Sequence, residues 1–259
     1  NPEQNTTAKE DQSVAVKQTY QVEAVSHFNE PWAVTSLPDQ RLLVTERQGK
    51  LKIFNPKNKQ ILDVQNVPAV NYGGQGGLGD VILHPDFAKN QWVYLSYATK
   101  GQGGSGAVIS RAKLDLSHPN QPKLTDIKQI WQQVPKVSGQ GHYGHRMLFG
   151  TDGKLWVSSG ERQKFDPAQN MKSNLGKILR LNEDGTAAVG NPFYKQGGVT
   201  AEIWSLGHRN PLGMAFDSKG QLWVVEMGPK GGDELNIITK GENYGYPIVS
   251  NGDHYSGQP

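Results

Sequence analysis

Four times in 259 residues the chain pairs a turn with a short apolar strand: PDQRLLVTE (38–46), AKNQWVYLSY (88–97), TDGKLWVSSGE (151–161) and DSKGQLWVVEMG (217–228). Counted from Leu42 to Val93, Leu155 and Leu222, the copies stand 51, 62 and 67 residues apart. That spacing is too long for a helical solenoid and suits four-stranded propeller blades joined by long loops. Each copy follows another apolar stretch (PWAVTSL, GGLGDVILH, HRMLFG, NPLGMAFD) and precedes an alternating one (KLKIFN, AVISRAKLD, GKILRLN, ELNIIT). Alternation over five or six residues bounded by Gly, Asp, Asn and Pro marks half-buried antiparallel strands. Asp152-Gly153 supplies a hairpin turn. Each unit thus predicts a sheet of three or four strands, the alternative being a β-sandwich with coincident turns. The first strand is expected near Tyr20, in TYQVEAV.

Thirty-one Gly and 15 Pro with no Cys describe a turn-rich β protein without disulfides or thiolate metal sites. The net charge is +3, but Lys and Arg are scattered and no aromatic platform is interleaved with them, which argues against nucleic-acid binding. No run of about 18 apolar residues exists, so no membrane-spanning helix is expected. The chain begins at Asn1 with no apolar targeting segment, as expected of a processed chain whose signal has been removed. Residues 1–18 are polar and without period, which predicts a flexible leader before a propeller domain over 19–259. A propeller pairs its first and last blades to hide open sheet edges. Four units fill the sequence and it stops at HYSGQP, so a further C-terminal portion is expected.

Four segments carry chemistry. SGQGHYGHRMLFG (138–150) sets His142, His145 and Arg146 just before a strand, where loops entering a blade's innermost strand converge on the propeller axis. A neutral imidazole there is suited to general-base work, and a structural loop histidine is the alternative. SLGHRNPLGMAF (205–216) occupies the same position one blade later. Arg209 offers a fork of donors to a carboxylate or quinone oxygen and Asn210 an amide, or Arg209 bridges loops through carbonyls. EMGPKGGDELNIITKGENYGYP (226–247) surrounds Pro229 with glycines and follows with Asp233 and Glu234, oxygen ligands of the kind calcium takes, or solvated acids of a surface turn. NYGGQGGLGDVILHPDF (71–87) clusters glycines around Gln75, allowing a flat ligand close approach; without a following Lys-Ser/Thr it is not a phosphate loop.

In this order, GGQGGLGDV with HPDF, GHYGHRMLFG, GHRNP, and GPKGGDELNI with NYGYP resemble the soluble pyrroloquinoline-quinone (PQQ)-dependent aldose sugar and glucose dehydrogenases, from about Val22 to Pro259. The resemblance implies an all-β, six-bladed propeller, of which this chain carries about four blades, with PQQ in the axial pocket. It implies His142 as the base that takes the proton of the anomeric hydroxyl while hydride passes to the quinone. Arg209 and Asn210 then hold the quinone, with Gln75 and Tyr255 as further cofactor contacts. It implies one Ca²⁺ on the carbonyls of Gly228 and Pro229, and another on the Glu234 side chain and the Tyr244 carbonyl. Gly141 stands where glucose-specific relatives carry an acid, so tuning of the base must come from elsewhere. The implied partners are an aldose and an external electron acceptor, in a monomer or homodimer that is periplasmic or secreted. A calcium-dependent lactonase and a non-catalytic binding propeller are the rival readings.

Overall fold

The computed structural model describes residues 19–253, 255 and 256; the expected leader, 1–18, lies outside them. Blade 1 comprises β1 (Pro31–Ser36), β2 (Leu42–Glu46), β3 (Lys50–Phe54) and β4 (Ile61–Asp63). Blade 2 comprises β5 (Leu78–Leu83), β6 (Trp92–Gly101), β7 (Gly104–Asp115) and β8 (Lys123–Gln132). Blade 3 comprises β9 (Gly144–Phe149), β10 (Leu155–Ser159), β11 (Lys177–Leu181) and β12 (Ile203–Leu206). Blade 4 comprises β13 (Pro211–Phe216), β14 (Leu222–Glu226) and β15 (Glu234–Ile238). Each blade is an antiparallel meander in chain order. The first strands β1, β5, β9 and β13 pack in succession, which places them innermost, around the axis.

The repeat read from the sequence is a register. Leu42, Val93, Leu155 and Leu222 pair with Ser36, Leu83, Phe149 and Phe216, at the end of each innermost strand. At the opposite end of all four, the register slips where the chain enters the blade. Such bulges bend a strand and re-aim its side chains, here at the mouth of the axis.

The core lies between blades. On β6, Val93 and Leu95 join the cluster shared with blade 1, whereas Tyr94 joins the one shared with blade 3. On β10, Leu155 and Val157 face blade 2 and Trp156 faces blade 4. Strands buried on both faces read as continuous apolar runs, which is why WVYL and LWV show no alternation. Each fully buried aliphatic side chain there contributes about 1.5–3 kcal/mol. The terminal blades leave one face open, with Val34, Val225 and Leu235 exposed.

The strand expected near Tyr20 does not form: residues 19–28 contain no strand and β1 starts at Pro31. Val22 and Val25 are exposed there. Alternation makes a strand only where a sheet edge receives it.

Candidate active site

The loops entering β5, β9 and β13, together with the segment after β14, bring the chemistry-bearing residues to one end of the blades. His142, Gln163, Phe165, Arg209, Pro229, Tyr246, Tyr255 and Ser256 line a cavity of about 200 Å³. A second cavity of about 230 Å³, lined by Trp32, Arg47, Gln75, His145 and Asn210 among others, runs along the axis. His142 joins the two, because its backbone N–H donates to Gln75 Oε1 at 2.8 Å.

His142 Nδ1 bonds Glu161 Oε1 in a short contact. Glu161 is fully buried, and its carboxylate also accepts the N–H groups of Gln163 (2.9 Å) and Phe165 (2.6 Å). An ionised carboxylate only accepts, so the ring proton sits on Nδ1 and Nε2 is the basic nitrogen. The carboxylate thus holds the ring in one tautomer, with Nε2 turned away from Glu161. His142 adopts φ +49°, a left-handed conformation costing a non-glycine residue about 1–3 kcal/mol, of the kind that clusters at functional sites.

Glu161 was missing from the candidates read off the sequence, yet the repeat contains it. Three of the four copies carry a glutamate at or just before their end: Glu46, Glu161 and Glu226. In blades 1 and 4 the carboxylate accepts the backbone N–H of the residue two before the innermost strand, Asn29 at 2.5 Å and Arg209 in a short contact. There the glutamate pairs directly with the strand's first residue, Pro31 or Pro211. In blade 3 the first residue, Gly144, pairs with Ser159 instead. Glu161 stands two residues further on and takes the imidazole of His142, leaving the His142 N–H to Gln75. The two-residue offset thus moves the blade 3 glutamate off the backbone tie and onto the imidazole of His142, whereas Glu226 of blade 4 keeps its backbone tie.

Arg209 lines the cavity with His142, and its guanidinium carbon is 6.0 Å from the Tyr255 ring. Its Nη1 donates to the carbonyls of Met227 (2.9 Å) and Gly228 (2.7 Å). It therefore bridges loops as well as presenting positive charge. Asn210 is buried with Oδ1 unpartnered, an orphaned acceptor beside the axial cavity. Its backbone carbonyl accepts Met227 N–H, fixing the segment after β14. Gly160 permits the convergence: a Cβ there would stand 2.0 Å from the His142 carbonyl oxygen and 3.1 Å from Asn210 Oδ1.

His145 and Arg146, expected in the loop, lie within β9. His145 is buried, bonds Ser96 Oγ at 2.7 Å and stacks on Trp32. Burial pushes its imidazole down to about 3, with the Arg146 charge adding to the effect. It stays neutral at ordinary pH and is too weak a base for proton abstraction. Arg146 pairs with Asp80 at 3.3 Å over the Trp32 ring.

The carbonyls of Gly228 and Pro229 each already accept one hydrogen bond, from Arg209 and from Gly232 N–H (2.7 Å). A carbonyl has two lone pairs, so each retains one for a cation. Glu234 accepts the Asn236 amide at 2.9 Å, and Tyr244 stacks on His208 while its hydroxyl donates to the Ile237 carbonyl. Among the described residues no group of three His, Cys, Asp or Glu side chains is placed to hold a metal.

The Glucose / Sorbosone dehydrogenase family model matches residues 28–259. Aldose sugar dehydrogenase YliI of Escherichia coli is 41% identical over 235 residues, covering 89% of this chain. Quinoprotein glucose dehydrogenase B of Acinetobacter calcoaceticus is 33% identical and covers 87%. The chain spans 62% and 52% of those proteins' lengths, respectively. The PQQ-bound form of aldose sugar dehydrogenase from Streptomyces coelicolor superposes with a TM-score of 0.80 at 33% identity, over 92% of this chain and 68% of that one. A match across all four blades, carried by relatives with the same propeller, establishes that the chain belongs to the glucose/sorbosone dehydrogenase family.

Proposed function

We propose that this protein is a quinoprotein that oxidises aldoses at the anomeric carbon to lactones, with PQQ as oxidant and His142 as general base. The observation that carries the reading is the His142–Glu161 pair on the wall of a cavity that also presents Arg209. A base with its proton fixed on Nδ1 and a cation lining the same cavity suit a substrate that gives up a proton and two electrons together. The PQQ-bound Streptomyces relative and the quinoprotein from Acinetobacter support the choice of cofactor.

The donor set fits a planar polyanionic quinone: the Arg209 guanidinium, the amides of Asn210 and Gln75, and the exposed ring of Tyr255. When bound, the quinone supplies the hydride acceptor that imidazole and guanidinium lack. His142 Nε2 takes the proton from the anomeric hydroxyl, Glu161 holds the resulting imidazolium, and Arg209 stabilises negative charge on the oxygens it faces. The remaining lone pairs of Gly228 and Pro229 would hold a calcium ion, which would supply Lewis-acid polarisation, while the Glu234 side chain and the Tyr244 carbonyl would hold a structural one. Electrons leave to an external acceptor, and the protein works in the periplasm or outside the cell; no helix among the described residues is long and apolar enough to cross a membrane.

The test is reconstitution with PQQ and Ca²⁺, followed by sugar-dependent dye reduction. His142→Gln is expected to lose at least about 10²-fold in turnover, the scale of general-base catalysis, while quinone binding followed by fluorescence is kept. Equal turnover in the variant removes the proposed base. Failure of the wild-type chain to bind the quinone removes the cofactor assignment.

A further inference from the structure

Arg162 is the largest fully buried side chain among the described residues, 1% exposed, and the proposed reaction makes no use of it. Its guanidinium donates from Nε to the Gly141 carbonyl (2.9 Å), from Nη1 to the Ser105 carbonyl (2.5 Å), and from Nη2 to the Gly139 carbonyl (2.6 Å) and Ser105 Oγ (3.2 Å). Its plane lies 3.9 Å from the Tyr143 ring centroid, and its own N–H donates to the His142 carbonyl at 3.2 Å. These acceptors are neutral oxygens, and all but those of Ser105 belong to residues 139–142.

The arrangement grips the residues on either side of His142 and leaves its imidazole free for Glu161. The grip is needed, because the backbone here takes unfavourable turns at non-glycine residues: His142, His145 and Arg162 itself all have positive φ. Ser105 lies on β7 of blade 2, so the same guanidinium fixes the loop against the neighbouring blade. A buried cation making several directed bonds over-determines such a loop, where propensity alone would let it relax.

We propose that Arg162 is the positioning residue of this site: its guanidinium holds loop 139–143 in the turn that delivers the His142 ring to Glu161. The link to turnover rests on the reading of His142 as base; the positioning itself does not. Blade 4 contains an internal control. His208 Nδ1 bonds Glu226 Oε2 at 2.9 Å, the same pair chemistry, and its Nε2 bonds Ser205 Oγ at 2.8 Å.

Two histidine Nδ1–H protons, each on a carboxylate, therefore give downfield resonances in ring-¹⁵N-labelled protein, assigned with His142→Gln and His208→Gln. In Arg162→Lys, which keeps the charge but cannot reach four acceptors at once, the expected result is loss of the His142 resonance with that of His208 unchanged. Retention of both overturns the proposal. Loss of both also overturns it, since Arg162 then acts on stability at large. Turnover of the same variant, reconstituted with PQQ and Ca²⁺, is read separately and is expected to fall at least tenfold. If the His142 resonance is lost but turnover is intact, positioning stands and His142 as base falls.

Discussion

Glu161→Gln is expected to lower sugar-dependent turnover by about 10³-fold while leaving quinone affinity within about threefold. The substitution keeps size and shape, so its effect isolates charge and proton placement. An amide can turn its NH₂ toward His142 Nδ1, which then has to accept and forces the ring proton onto Nε2. Asparagine in place of the aspartate of a serine-protease triad acts through this wrong-tautomer effect and costs about 10⁴. Even with the tautomer preserved, a neutral amide cannot offset the charge of the imidazolium formed when the base accepts its proton. The buried carboxylate also receives the N–H groups of Gln163 and Phe165. Weakening one of these bonds costs about 1 kcal/mol of stability, too little to unfold the domain. Steady-state rates at saturating sugar, with quinone binding measured in parallel, check the prediction. Unchanged turnover means the proton is handled by a group other than His142.

Gly160→Ala is expected to have a large effect on the folded state, a loss of about 3 kcal/mol and roughly 6–12 °C in melting temperature for a chain of this size. The added methyl meets the backbone carbonyl of His142 at 2.0 Å and its carbon at 2.5 Å. No side-chain rotation relieves a clash with backbone. Relief requires moving either β10's continuation or the His142 loop, and both carry the site. The variant is therefore expected to lose quinone binding along with stability. Gly213→Ala is the control, because its Cβ meets only Val225 at 3.5 Å and its φ is not positive. It is expected to stay within about 0.5 kcal/mol of the parent. Thermal unfolding of both variants, with and without quinone, makes the comparison.

The blades were legible in the sequence because a propeller repeats its physics. The second strands of the inner blades are buried on two faces and every innermost hairpin needs a turn, so Leu42, Val93, Leu155 and Leu222 recur in one register. The convergence of the 142 and 209 loops followed from their shared place before an innermost strand. Tyr20 misled because alternation describes a strand's faces but says nothing about whether an edge is there to pair with it. His145 looked like a loop residue because a left-handed φ and a register slip lie inside β9, and neither leaves a mark in hydropathy. Glu161 was visible as the last residue of a repeat but not as the partner of His142, since its two-residue offset is a matter of geometry. Arg162 was the least legible: a guanidinium next to a glutamate in sequence reads as solvated, and only the fold shows it closed in by carbonyls.

The central claim is that loops from successive blades bring the Glu161-held imidazole of His142 and the guanidinium of Arg209 to one bound quinone. Diffraction from crystals of the chain soaked with PQQ and Ca²⁺ tests it most directly. The account predicts planar quinone density in the cavity bounded by His142, Arg209, Pro229 and Tyr255, with the His142 ring still on Glu161. Quinone density elsewhere on the surface, or a His142 ring turned away from Glu161 in the bound state, contradicts it.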